Sequence, residues 1–276
     1  MAKSKYEYVK HFEQDDRLLP GCWLVVRLDG RGFHRFSSLH GFTKPNDLRA
    51  LQLANRCAET VMKDVQDAIL AYGESDEYSF VLDRKTRLFG RRESKITTTV
   101  CSLFSAAYVL YWPEFFPETP LQYPPSFDAR AVCYPTSRIL RDYLSWRQAD
   151  CHINNLYNTC FWTLVQQGGM PEKEAEETLR GTFSADKNEL LFSRFGINYA
   201  HLPAIFRKGT TLVWEEVEIP VTTPSGESAL RRKKAVRALD VDIIGDQFWH
   251  DRPWLLGEDT PLPPAGTEDA KSDTPL

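Results

Sequence analysis

The sequence has no run of eighteen apolar residues, no Cys-x-x-Cys pair, no internal repeat and no Gly-x-x-x-x-Gly-Lys-Ser/Thr loop. The first absence leaves nothing that would span a bilayer as a helix. The second, with six cysteines scattered at Cys22, Cys57, Cys101, Cys133, Cys151 and Cys160, speaks for buried thiols in a reducing compartment rather than a disulfide framework. The last excludes a P-loop. Residues 1–17 also lack the apolar stretch of a secretion signal and are too acidic for a good transit peptide. A soluble cytoplasmic protein is the expectation, with a nuclear or mitochondrial share left open.

A strong charge of either sign is missing too. Thirty-four basic residues face 38 acidic ones, for a net charge of −4. Residues 257–276 carry five acids against Lys271, a Pro-rich tail expected to be disordered, so the rest of the 276-residue chain is close to neutral. Two basic strips stand out within it: Arg84–Lys95, locally +5, and Arg231–Lys234 with Arg237. Bulk charge thus gives no support for nucleic-acid binding, while these strips permit it. Hydrophobic residues at 42% are enough for a real core.

The hydrophobic patterning predicts an ordered series of elements. Residues 22–28 (CWLVVRL) form a short apolar run bounded by Pro-Gly and Asp-Gly, a buried strand. Apolar residues at helical spacing follow over 47–69, with Asn46 or Asp47 as N-cap. Residues 69–72 and 78–82 flank a five-residue turn, 73–77, and read as a hairpin. A helix over 94–112, with Ser94 as a possible cap, and a strand over 127–134 complete the set. Strand-helix-strand-strand-helix-strand is the ferredoxin-like (βαββαβ) order, an α+β palm. Helices over 136–167, 171–181 and 185–195 follow, then a long β-hairpin from 210–219 and 235–244 around a loop at 222–234. The expected division is a catalytic palm at 1–135, a helical and hairpin region at 136–256, and the tail.

In that topology the first strand lies beside the third, so Asp29 at the end of one and Asp76 in the turn before the other can converge. Two carboxylates and a glycine-freed carbonyl at Gly30 are hard oxygen ligands suited to Mg²⁺. Spacing alone fits equally a turn cap and a solvated turn acid. Gly30 and Gly32 also permit a run of backbone N–H groups able to hold phosphate.

Four segments narrow the choice: RLDGRGFHRF (27–36), KPND (44–47), YGESDEYSF (72–80) and WRQADCHINNLYN (146–158). Together they resemble the histidine-tRNA guanylyltransferase family, eukaryotic branch, in order over about residues 5–249. The resemblance implies addition of one guanylate to the 5′ end of histidine tRNA. ATP adenylylates the 5′ phosphate, the 3′-hydroxyl of GTP displaces AMP, and pyrophosphate is then removed. It also implies two Mg²⁺ ions and a homotetramer, a dimer of dimers, in which tRNA spans subunits.

Carried over residue by residue, the resemblance makes Asp29, Gly30 and Asp76 the metal ligands, with Glu77 a supporting acid. Arg31, Gly32, Phe33, His34, Lys44, Asn46 and Ser75 join them around GTP, and Asp47 reads guanine. His152 and Lys187 are implied in activating the tRNA 5′ end, while Arg27, Arg92, Lys95, Asn155 and Asn198 hold a triphosphate or that end. Tyr143, Trp146, Tyr157, Phe161 and Trp162 lie at helical spacing, which favours packing or a subunit contact over base stacking. The basic Arg231–Lys234 stretch, read as a hairpin tip, is the expected tRNA contact. A template-dependent tRNA 5′-end repair polymerase shares the same core, and a non-catalytic tRNA-binding subunit is the alternative of a different class.

Overall fold

The computed structural model describes residues 4–222 and 228–257. Strands β1 (Trp23–Gly30), β2 (Ala68–Glu74), β3 (Glu77–Leu82) and β4 (Phe127–Tyr134) pair in the order β4-β1-β3-β2, all antiparallel. Helices α1 (Phe33–Leu39), α2 (Leu48–Asp64) and α3 (Glu93–Phe115) lie between them. This is the expected palm. Strands β5 (Thr210–Thr222) and β6 (Ser228–Leu239) extend it beyond β2 to six strands, because Leu70–Gly73 of β2 pairs with Thr210–Val213 of β5.

Each face of the sheet buries its own core. Leu24, Val26 and Leu28 of β1 pack beneath α2 and α3, where Leu53, Val61, Val100 and Phe104 are fully or almost fully buried. Trp23 and Val25, pointing the other way by strand alternation, meet α4 (Ser137–Gln166) through Leu140, Tyr143 and Leu144. The far half of α4 supplies Leu156, Cys160 and Leu164 to a third cluster with α5 (Glu172–Leu179) and α6 (Ser184–Phe195). Short helices α7 (Ala204–Lys208) and α8 (Gln247–His250) flank the hairpin. All six cysteines are free. Among the described residues no helix is long and apolar enough to cross a membrane.

Several boundaries differ from the sequence reading. Helix α2 stops at Asp64 rather than 69, since Ile69 and Leu70 are claimed by the sheet, where Leu70 faces Val213. The hairpin turn is two residues, Ser75-Asp76, rather than five, with Ser75 in the left-handed region at φ 49°. Helix α1 is new, its seven residues being too short for periodicity to reveal. Ser94 does not cap α3; Arg92 holds the N-cap position. Arg231–Lys234 is a stretch of β6 rather than a loop tip, with Arg232 beside Glu216 and Glu218 on β5. Residues 223–227 of the expected loop and residues 258–276 of the acidic tail lie outside the described residues.

Candidate active site

The alternation that buries Trp23 and Val25 beneath α4 turns Arg27 and Asp29 to the same face, where apolar packing gives way to charge. Asp29 faces Glu77 and Arg27 faces Ser79 across the β1–β3 ladder. Beside them the tight turn presents Asp76, whose Oδ1 accepts from Ser75 Oγ at 3.0 Å. Its Oδ2 lies 2.7 Å from where a Cβ on Gly30 would stand, so only glycine leaves that carboxylate its place. Burial raises the Asp76 carboxyl above its ordinary range, and the charge of Asp29 adds to the shift. Asp29, Gly30 and Asp76 therefore meet at one end of β1, as the topology predicts.

Helix α4 roofs this end. Arg147, Asp150, Cys151, Asn154, Asn155 and Asn158 recur at helical spacing and line a cavity of about 270 Å³ with Asp29 and Asp76. Arg147 is the hub. Its Nε donates to Glu77 Oε1 at 2.7 Å, and its Nη2 donates to Asp150 Oδ2 at 2.7 Å and Glu74 Oε1 at 3.4 Å. Its side chain is only 7% exposed, and its guanidinium stacks 4.2 Å from the Trp146 ring centre. Burial still pushes the Glu74 carboxyl up to about 8, with Glu77 contributing. Burial likewise leaves Glu77 raised, although Arg147 and Arg27 pull it down. Arg27 Nε is buried without a hydrogen-bond partner, 3.9 Å from Glu77 Oε2. Its charge is thus matched by Glu77, and Arg27 itself lines neither cavity.

A second cavity, about 580 Å³, opens on the other side of Asp76. The two share Pro45, Asn46, Leu51, Ser75, Asp76 and Asn158, so the turn forms a common wall between them. Phe33, His34, Lys44, Asn46, Asp47 and Ser75 line the larger one, together with Tyr157, Phe161 and Trp162 of α4. Lys44 Nζ donates to Ser37 Oγ at 3.3 Å and lies 5.8 Å from the Trp162 ring centre, with no carboxylate bonded to it among the described residues. Asn46 Nδ2 donates to Asn155 Oδ1 at 2.8 Å, which ties the 43–47 loop to α4. A space of this size, walled by rings and edged by cationic and neutral donors, suits a nucleotide.

Other residues singled out by sequence lie elsewhere. Arg31 and Gly32 face a separate depression, and the Arg31 N–H is spent on the Ser126 carbonyl at 2.9 Å, which interrupts the expected run of free N–H groups. Arg92 and Lys95 sit at the opposite end of β1. There Arg92 bridges Arg17, and the neighbouring Arg91 is buried against the carbonyls of Leu19 and Cys22. Six strand steps of about 3.3 Å separate that end from Asp29, roughly 20 Å. His152 packs edge-on to Tyr199, and burial, then the charge of Arg207, hold its imidazole below its ordinary range. Lys187 Nζ donates to the Thr182 carbonyl at 2.8 Å and lies 6.0 Å from the Tyr157 ring centre. Asn198 accepts from Ala200 N at 3.0 Å. None of these lines the two cavities. Asn155 does, and its Nδ2 also donates to the Tyr199 hydroxyl.

Asp47 lines the larger cavity with its oxygens already engaged. Oδ1 accepts from Arg49 N and Nε, both at 3.0 Å, and Oδ2 accepts from Arg49 Nη2 at 2.6 Å and Thr43 N at 2.9 Å. Sequence reasoning missed Arg147, Asp150 and Glu74, although all three fall inside the recognised motifs. It also assigned Tyr157, Phe161 and Trp162 to packing, since helical spacing cannot say which apolar stripe meets a cavity.

No group of three or more His, Cys, Asp or Glu side chains is placed for a cation among the described residues. Two carboxylates and a backbone carbonyl nevertheless match what Mg²⁺ takes from a protein when phosphate oxygens and water complete its shell. Fold and site together define a palm-type nucleotidyltransferase.

Comparison with known proteins narrows the class. The family described as tRNAHis guanylyltransferase matches residues 6–135, and the Thg1 C terminal domain matches 138–245. A probable tRNA(His) guanylyltransferase of Bos taurus is 54% identical over 269 residues, covering 94% of this chain and 90% of its own. The tRNA(His) guanylyltransferase of Schizosaccharomyces pombe is 52% identical over 257 residues, covering 92% and 98%. The crystal structure of the Saccharomyces cerevisiae enzyme superposes with a TM-score of 0.73 at 46% identity, over 82% of this chain and 96% of that one. The chain belongs to the tRNA(His) guanylyltransferase family.

Proposed function

We propose that this protein adds a guanylate to the 5′ end of histidine tRNA, consuming ATP and GTP. The observation that carries this reading is that the two cavities meet at Asp76, which lines both. An aromatic-walled space suited to a nucleotide base and an acidic, arginine-backed space suited to a phosphoryl centre share one carboxylate. In the first step an oxygen of the tRNA 5′ phosphate attacks the α-phosphorus of ATP and pyrophosphate leaves. In the second, the 3′-hydroxyl of GTP attacks the activated 5′ phosphorus, a P–O bond forms and AMP departs. Removal of the terminal pyrophosphate completes the product.

Asp29, the Gly30 carbonyl and Asp76 are the groups that would hold two Mg²⁺ ions. When bound, the ions activate the attacking oxygen and neutralise charge on the phosphoryl group. The chain's own residues bind and orient. Ser75 holds the Asp76 carboxylate in place, and Arg147 fixes Glu77 behind it. Lys44 and His34 supply donors for the triphosphate, and Arg27, whose Nε has no hydrogen bond, backs the site through its ion pair with Glu77. Asn46 holds the 43–47 loop against α4. Asp47 would accept from guanine N1–H and N2–H only on giving up Arg49, so base reading is coupled to movement of that side chain.

His152 on α4, Lys187 on α6 and Asn198 in the segment after it lie outside both cavities and serve the tRNA 5′ end. Arg92 and Lys95 lie at the far end of β1, and a homotetramer brings their strip and the acidic site of a neighbouring copy onto one RNA. The palm at 1–135 carries the metal-binding carboxylates, and 136–256 roofs the site and contributes RNA contacts. The free cysteines fit a reducing compartment such as the cytoplasm.

Incorporation of labelled GTP into 5′-monophosphorylated histidine tRNA, with ATP and Mg²⁺, tests the reading. One guanylate is expected at the 5′ end, lost in Asp29→Ala and Asp76→Ala and absent with a non-histidine tRNA. Repeated addition to truncated tRNAs would replace it with templated end repair, and tight tRNA binding without incorporation would leave a binding subunit.

A further inference from the structure

Turning the first residues of α1 away from the nucleotide cavity exposes a second feature. Arg31, Gly32 and Arg35 on one side, and Tyr123 and Ser126 on the other, enclose an open depression of about 420 Å³. Phe33 and Phe36 point into the core, His34 lines the nucleotide cavity, and Arg31 and Arg35 are left on the outward side. The two walls are fastened together by the Arg31 N–H donating to the Ser126 carbonyl. Tyr123 is 36% exposed and held in place by edge contacts to Phe36 (5.5 Å) and a tilted contact to His40 (5.8 Å). His40 is fixed in turn, its Nδ1 2.8 Å from the Phe36 carbonyl and its Nε2 accepting from Gln122 N at 3.0 Å.

The charge in this depression is uncompensated. Neither Arg31 nor Arg35 makes an ion pair with a carboxylate among the described residues, and the acid on β4, Asp128, pairs with Arg130 at 3.3 Å. An exposed arginine costs nothing when solvated, so two such groups alone describe a wet surface. What distinguishes this place is the third member, an aromatic ring held rigid at its back and open at its front, within the same concavity. Guanidinium groups that fork onto phosphate, beside an aromatic platform, are the elements of a single-stranded nucleic-acid contact.

We propose that Arg31, Arg35 and Tyr123 form an RNA-binding subsite, in which the guanidinium groups hold backbone phosphates and the Tyr123 ring stacks on a base. It rests on the reading of the protein as an RNA-modifying enzyme, and it assigns the strand that leaves the catalytic cavity around α1 to this surface. A phosphate here has one other source, the triphosphate tail of a nucleotide, and the two sources separate in the test.

The test measures binding of fluorescein-labelled histidine tRNA and of GTP to the full chain, each across a salt series. Arg35→Gln is expected to weaken tRNA binding and lower the slope of log affinity against log salt by about 1, the loss of one phosphate contact. Tyr123→Leu is expected to weaken tRNA binding about tenfold with little change in that slope, and Tyr123→Phe to restore it, because a ring suffices for stacking. GTP affinity and thermal midpoint should hold in all three. Weakened GTP binding with unchanged tRNA binding would assign the site to the triphosphate and overturn the proposal. So would tRNA binding unmoved in both Arg35→Gln and Tyr123→Leu. If the unaltered protein binds tRNA with the predicted variant pattern yet incorporates no guanylate, the subsite stands and the enzymatic reading falls.

Discussion

The Asp76 carboxylate rests against the backbone of Gly30, its Oδ2 2.7 Å from the point that a Cβ on Gly30 would occupy, and the Phe33 ring lies closer still to the same point. Gly30 has no left-handed φ to defend, so the demand for glycine at this position is one of space alone. Alanine there must displace either a core phenylalanine or the carboxylate, and the turn carrying Asp76 is the softer of the two.

Gly30→Ala is therefore expected to lower guanylate incorporation by on the order of 100-fold, the usual result of moving a reacting group about 1 Å. A thermal melt of the same protein should fall by only a few degrees. A large collapse of the melt would mean that Phe33 had yielded instead.

Removing the hub of the roof has the opposite balance. Arg147→Met leaves Glu77 and Glu74 buried beside one another without the cation that faces both. Stripping one partner from a buried ion network costs about 3–5 kcal/mol. Urea unfolding should register a loss of that size, and Glu74→Gln combined with Glu77→Gln in the Arg147→Met background should recover part of it. No recovery would place the cost in the lost stacking on Trp146.

Asp47 offers a pH signature. Burial would raise its carboxyl, but the Arg49 guanidinium and the Thr43 and Arg49 N–H groups outweigh burial and hold it below the ordinary range. The unfolded chain then binds more protons than the folded one as the pH falls below about 4. Stability from this group is complete above that pH and is lost through the acid range. The unfolding midpoint of Asp47→Asn should be lower near neutrality, and its gap to the unaltered chain should narrow as the pH falls through the acid range.

The bond from Asn46 to Asn155 spans 109 residues of sequence and joins the two halves of the chain at the cavity junction. A double-mutant cycle with Asn46→Ala and Asn155→Ala should return a coupling of about 0.5–1.5 kcal/mol in stability. The KM for GTP should rise in both single variants, since each releases the loop that carries Lys44. Additive effects on stability would deny the link.

Much of this was readable from residues alone, for identifiable reasons. The palm follows from short apolar runs and helical stripes whose order admits few topologies, and the convergence of Asp29 with Asp76 follows from that order. The attachment of β5 to β2 was hidden, because nothing local in residues 210–213 names a partner strand. Ile69 was read both ways: at helical spacing from Val65 it continues the α2 stripe, yet it also opens the apolar run of the hairpin, and the chain places it in β2. Arg91 sat in a basic strip that permits nucleic-acid binding, yet it is buried against backbone carbonyls of the segment leading into β1. Arg147 carries no spacing signal of its own, because its partners lie on other elements.

Helix α4 runs unbroken for thirty residues, about 45 Å, and meets three different surroundings in sequence: the sheet core, the catalytic roof and the helical cluster. Its angular phase is therefore shared property. One residue inserted between Leu144 and Arg147 would turn everything beyond it by about 100° while leaving the composition and helix propensity almost untouched. Arg147 would swing off Glu77, and Leu156 and Cys160 would leave their cluster together. Evolution along this helix is thus constrained to substitution, and length variation among relatives should be confined to the loops at its two ends.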